Sequence, residues 1–271
     1  MVQGYKFLGN NDIMKNVTAI ARREIFSFFV SPLAYFSITG FLVVAGYFFF
    51  VLVLYFNESL VRFQAMPFMQ GEAPNLNEWV VERMYGTMIV VLVFLVPLLT
   101  MRVVAEEKKR GTFELLLTSP VSVFDIVMGK FLGVATLLII MMVGTFSYPL
   151  LLLYYGDPAP EILPMLCGLL GMTLCALCFA SIGVAVSSCA SNQVVAGVSS
   201  MVVMLLLYVI HAPAQSIGGV AGDVLLKLSP IVQVKDMMKG VITTEALVYF
   251  ISMISFGLFL SQRVLEAERC R

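Results

Sequence analysis

From Ile162 to Gly222 the chain runs without a single Asp, Glu, Lys or Arg, and Ser31–Phe56 and Phe131–Tyr155 are equally uncharged. A helix of roughly 20 apolar residues crosses the hydrocarbon core of a bilayer. In that medium only structures that satisfy every backbone N–H and C=O internally are viable. Uncharged runs of this length therefore restrict the chain to membrane-spanning helices. The short segments of period-2 alternation that mark a membrane β-barrel are absent. Composition agrees, with 60% hydrophobic and 13% charged residues, against about 45–50% and about 25% in soluble domains. The predicted fold class is an all-α polytopic membrane protein.

Six spans fit the pattern, near residues 32–56, 84–102, 127–154, 162–188, 194–212 and 245–262, within one membrane domain covering 1–271. The stretch from Ile162 to Gly222 is too long for one helix. Its only dense cluster of small polar residues, Ser187 to Gln193, divides it. The first apolar block is too long for a signal-peptide core and is read as a retained span. Before it, residues 12–30 place Ile13, Val17, Ile20, Ile25 and Phe28 at helical spacing. Asp12, Lys15, Asn16, Arg22, Arg23 and Glu24 lie among them. That pattern predicts a helix lying along the membrane interface. Residues 213–244, broken by Gly218-Gly219 and Gly222, are expected to form re-entrant or interfacial helices on the outer side.

Six crossings put both termini on one side. The connections on that side carry 12 of the Lys and Arg residues, and those on the other carry 5. The richer side is expected to be cytoplasmic. Residues 103–126 then form a cytoplasmic segment between spans two and three.

Zero net charge gives no case for a nucleic-acid partner. The chain contains no G-x-x-x-x-G-K-[ST] and a single histidine, His211, so neither nucleotide hydrolysis nor a Ser/His/Asp centre is expected. Ion-coupled carriers usually need ionisable groups at membrane depth. The spans offer almost none, so any energy is expected to come from outside the chain. Five cysteines are an odd set, with three inside one apolar run, and do not read as a disulfide framework. Cys175 and Cys178 share a small-residue stripe with Gly168 and Gly171, which suits close helix packing; thiol or copper handling is the alternative. The seventeen methionines read as core fillers, and no metal site is expected. Trp79 and Tyr85 read as outer-interface anchors. Pro97 and Pro149 read as kinks.

Residues 105–120, AEEKKRGTFELLLTSP, interrupt the apolar chain with dense charge. Glu106, Glu107, Lys108, Lys109 and Arg110 belong in water. Phe113 and Leu115-Leu116-Leu117 form an apolar face that suits a groove on a soluble partner. A helix continuing through the segment would pair Arg110 with Glu114, worth about 0.2–0.5 kcal/mol. Thr118-Ser119-Pro120 would stop it, and Ser122 would cap the next helix. On these residues alone, a solvated loop obeying the positive-inside rule is the competing reading.

The segment resembles the cytoplasmic signature of ABC-2-type transporter permeases at Glu106, Glu107, Arg110, Gly111, Thr112, Glu114, Leu115, Leu116, Thr118, Ser119 and Pro120. Three further stretches agree in order. Ala21–Glu24 with Ser31–Tyr35 is similar to the family's first helix and first span. Ser191–Ala196 is similar to its turn between spans four and five. Ser229-Pro230 with Lys239–Ile242 is similar to its last outer loop. Within the family, the chain resembles the gliding-motility and copper-enzyme-maturation subgroup. It departs at Cys189-Ala190-Ser191, where an acidic residue is common, and at Gln233-Val234-Lys235.

The resemblance implies a non-catalytic permease subunit in a bacterial inner membrane, paired with a second permease subunit and a cytoplasmic ATP-binding-cassette ATPase. ATP and Mg would sit on that partner, and no cofactor on this chain. It also implies contact with the ATPase through Glu106, Glu107, Arg110, Gly111, Thr112, Phe113, Glu114, Leu115 and Leu116, supported by Arg22, Arg23 and Glu24 of the interfacial helix. Transport of a cargo, mechanotransmission without cargo, and a passive channel or scaffold are the functions to be told apart.

Overall fold

The computed structural model describes residues 10–65, 74–111, 121–156 and 159–269. Among these there is no β-strand, and six helical stretches are long and apolar enough to cross a membrane. The chain is a multi-pass membrane protein.

Helix α1 (Asn10–Val30) leads through Ser31 into α2 (Pro32–Ala65). Pro32 stands in the first turn of α2, where its missing N–H costs nothing. At 34 residues, α2 is about 51 Å long, well beyond the roughly 30 Å hydrocarbon core. Residues 57–65, expected in a loop, continue the helix, and Glu58 and Arg62 pair along it at 3.9 Å. A π-helical turn, Asn77–Glu82, starts the second span and runs into α3 (Arg83–Thr100). The short α4 (Ala105–Arg110) follows.

Ser122 then caps α5 (Val123–Thr145), accepting a hydrogen bond from the Asp125 N–H at 3.1 Å. The helix breaks at Phe146 and resumes as α6 (Ser147–Tyr155). Pro149 explains the break. It cannot donate to the Thr145 carbonyl four residues back, while the Thr145 hydroxyl bonds back to the Met141 carbonyl at 2.9 Å.

Helices α7 (Ile162–Cys189) and α8 (Gln193–Val209) are separated at the polar cluster, as expected. Asn192 caps α8 by accepting from the Val195 N–H at 2.9 Å. Residues 211–238 form three short helices, α9 (His211–Ile217), α10 (Gly219–Leu228) and α11 (Pro230–Met238). Gly218 and Gly219, with φ of 61° and 65°, make the reversal between the first two. The last span is α12 (Thr244–Arg269).

Helix α7 is the centre of the bundle and touches α3, α5, α8, α11 and α12. Lipid tails are as apolar as leucine, so spans hold together by close packing rather than by escape from water. Small residues on α7 and α12 allow that approach. A Cβ at Gly168 would lie 2.7 Å from the Tyr85 ring, and one at Gly171 would lie 3.1 Å from Val234 and Met237 of α11. Cys175 and Cys178 are buried on the same helix. No group of three or more potential metal ligands occurs among the described residues.

Tyr85 is therefore not the interface anchor its position suggested. It is wholly buried and donates to the Met165 carbonyl at 3.2 Å. The phenol is usable there because a neighbouring carbonyl accepts its proton.

Packing of this kind makes a glycine substitution a sharp test. A Cβ at Gly257 of α12 would meet the Ser181 backbone at 2.9–3.0 Å, whereas one at Gly40 of α2 would meet nothing within 4 Å. Gly257→Val should destabilise the protein by about 1–3 kcal/mol. Gly40→Ala should be neutral or stabilising, by up to about 1 kcal/mol. Thermal unfolding in detergent reads both.

Candidate functional site

The charged residues of α4 do not sit in a free loop. α4 is locked into the end of the bundle at which both α1 and the last turn of α12 lie. The lock is built from a lysine outward. Lys130, in the second turn of α5, is 1% exposed. Its Nζ donates to the Val103 carbonyl at 2.6 Å and to Glu24 Oε1 of α1 at 3.1 Å. It also pairs with Glu107 Oε2 of α4 at 2.9 Å. Glu107 Oε1 accepts in turn from Arg23 Nη2 at 2.9 Å.

Burying an ammonium is costly unless it is paired and hydrogen-bonded, and here two carboxylates and a carbonyl surround it. The backbone allows the approach. Cβ atoms at Gly129 and Gly133 of α5 would lie 2.7 Å from Ile20 and 2.6 Å from Glu24, so only glycines let α1 lie this close. Val17, Ile20, Ala21, Glu24 and Phe28 follow the helical repeat along the side of α1 that meets α5. Glu24, grouped with the polar residues in sequence, belongs to this packed side.

A second lysine fastens α4 on its other side. Lys108 Nζ donates to Glu268 Oε1 of α12 at 2.6 Å and to the Ser188 carbonyl at the end of α7. Ser188 Oγ and Ser261 Oγ, 2.7 Å apart, join α7 to α12 just beneath. The start of α4 has no cap from its own side chains. Ser187 of α7 supplies one, its Oγ accepting from the N–H groups of Val104 and Ala105 at 3.3 and 3.2 Å. Ala105 packs against Ala190 and Ala196. Gly111, at φ 69°, closes α4 in the left-handed conformation that favours glycine.

That closure ends α4 at Arg110; the expected Arg110–Glu114 pair lies outside the described residues. Thr112, Phe113, Glu114, Leu115 and Leu116 lie outside the described residues. Glu107 and Glu24 meet at Lys130, Arg23 reaches Glu107 from the surface, and Arg22 is exposed. Glu106 lines a cleft of about 430 Å³ between α1 and residues 102–107, with Ser27, Ser31 and Arg102.

No local pattern in the sequence assigns Lys130, Lys108, Ser187 or Glu268 to a site. Lys130 counts among the Lys and Arg of the charge-rich side, yet it is buried. The available signal was its place beside the uncharged run Phe131–Tyr155, where an ionisable residue calls for a partner.

Residues 9–222 match the family described as ABC-2 family transporter protein. The chain belongs to this ABC-2 transporter family. Membership makes it the membrane-spanning permease component of an ABC transporter, of a kind that is generally non-catalytic. The match ends at residue 222, before α11 and α12, so the Glu268 contact lies outside the matched region. No curated protein matches the chain.

The Lys130–Glu107 and Arg23–Glu107 pairs of the lock differ in burial and should differ in strength. Side chains of Lys130 and Glu107 are 2% and 16% exposed, and that of Arg23 is 60%. Lys130→Met would leave two carboxylates facing each other and should cost about 3–5 kcal/mol. Arg23→Gln should cost less than about 1 kcal/mol. Thermal unfolding of the purified protein distinguishes them.

Proposed function

We propose that this ABC-2 permease is driven by a separate cytoplasmic ATP-binding-cassette ATPase, and that α4 with the residues after it receives the motor's movement. The observation that carries the reading is the double fastening of α4. Adjacent residues Glu107 and Lys108 tie it to α1 and α5 on one side and to α7 and α12 on the other. A displacement of α4 would therefore be felt by four helices. A solvated loop would need none of these contacts.

In this reading the end of the bundle holding both termini is cytoplasmic, in agreement with its excess of Lys and Arg. The host membrane is a bacterial inner membrane. ATP and Mg bind the ATPase, a second permease subunit completes a homo- or heterodimer, and the chain needs neither cofactor nor nucleic acid. Residues 112–116 extend the contact surface: Phe113, Leu115 and Leu116 would seat in a groove of the ATPase. Arg110 and Glu114 would flank them, beside Gly111 and Thr112. Movement of a cargo is the favoured outcome. Mechanotransmission without cargo, as the gliding-motility and copper-enzyme-maturation resemblance suggests, is the second reading.

Contact and coupling can be tested apart. Phe113→Asp should reduce co-purification of the ATPase in mild detergent while leaving membrane insertion unchanged. Lys108→Met should leave co-purification intact but reduce the permease-dependent change in ATP hydrolysis about tenfold, a loss near 1.4 kcal/mol. Unaltered behaviour of both variants would contradict the role given to α4. Cargo movement in proteoliposomes, against hydrolysis without movement, separates transport from mechanotransmission.

A further inference from the structure

Opposite the α4 lock, three spans leave a groove open to the side. The 18 residues of α3 place Arg83 about 27 Å from its far end at Thr100. Around Arg83 the groove has a volume of about 530 Å³, within the roughly 300–1,000 Å³ common for small-molecule sites. Gly86 and Thr87 of α3 form its floor, Phe48 and Leu52 of α2 one wall, and Tyr208 of α8 the other. The two walls belong to the least covered spans, with 11% of the α2 stretch and 17% of the α8 stretch buried. The groove therefore opens toward the bilayer rather than toward another helix of the chain.

Its chemistry is two-sided. The walls are apolar, but Arg83 stands at the end with no ion pair among the described residues. Glu82 precedes it directly, and adjacent helical residues do not face each other. The guanidinium carbon lies 4.2 Å from the centre of the Trp79 ring, which steadies the cation through its face. The N–H donors along its edge stay available, in the fork geometry that suits a phosphate or carboxylate. The floor is open as well, since a Cβ at Gly86 would meet nothing within 4 Å.

We infer that this groove binds an anionic amphiphile, with its phosphate or carboxylate head on Arg83 and its hydrocarbon along Leu52, Phe48 and the glycine floor. A purely apolar ligand would leave the arginine without a counter-charge. A purely polar ligand would have to dehydrate against apolar walls. The inference names a class of molecule for the transport reading and rests on that reading only for the step from binding to movement. Binding itself needs no ATPase.

The test uses the full chain in phosphatidylcholine nanodiscs doped with phosphatidylglycerol, with retained lipid measured by native mass spectrometry. Wild-type protein should retain phosphatidylglycerol in preference to phosphatidylcholine. Arg83→Gln should weaken that retention about tenfold, equivalent to about 1.4 kcal/mol, and Arg83→Lys should restore part of it. Gly86→Phe, whose ring would fill the groove, should reduce retention of the anionic lipid with Arg83 intact. Equal retention of both lipids, or an unchanged Arg83→Gln variant with native melting, would overturn the inference. Displacement by inorganic phosphate as effective as by lysophosphatidylglycerol would reduce the site to a simple anion site and overturn the amphiphile. Loss of ATPase coupling with normal lipid retention would count against the transport reading alone.

Discussion

Lys130 places a positive charge where the fold has almost no water to solvate it, and the surrounding structure is arranged around that constraint. Glu24, Glu107 and the Val103 carbonyl converge on one ammonium from α1, α4 and the turn between α3 and α4. Remove the lysine, and two carboxylates from different helices face each other in a nearly closed space. Remove either carboxylate, and a buried cation loses half its compensation. The cluster therefore fixes the positions of α1 and α4 together, which packing alone would not do for a helix as short as α4. An isolated helix of six residues has no stability of its own. α4 persists because Ser187 caps it, Ala190 and Ala196 receive Ala105, and charges on both sides hold it.

The same constraint separates this end of the bundle from the other. At the end that gathers the termini, ionic contacts join helices distant in sequence, such as Lys108 with Glu268. At the other end, short helices pack through methionine, valine and glycine, and Arg83 rests on Trp79 with no acidic partner among the described residues. One end is tied across four helices by charged contacts. The other leaves an opening between two spans that little of the chain covers.

Much of the fold was legible because the bilayer leaves few choices. Uncharged runs longer than about 20 residues have to be spans, Ser122 marks a helix start by the hydrogen bond its side chain can accept, and the polar cluster Ser187–Gln193 marks the break between two spans. Errors arose where a residue's partner is remote in sequence. Glu24 and Lys130 are separated by the whole of α2, α3 and α4, and no local pattern says that they meet. Tyr85 has the composition of an interface anchor, but Gly168 makes room for its ring inside the bundle. Nothing in the spacing of the 105–120 segment marks the end of its first helix, which the left-handed Gly111 sets at Arg110. Residues 57–65 lack the apolar character of a span and still extend α2, since a long helix need not stop where lipid does.

Under the proposed coupling, the Lys130 junction should make α1 and α4 move as one body. Distances between spin labels at Thr18 of α1 and Lys109 of α4, followed through ATP turnover in the assembled transporter, test this most directly. The native protein should give one narrow distribution that does not change with nucleotide, and Lys130→Met a broadened one. A native protein in which the two labels separate on ATP binding would contradict it.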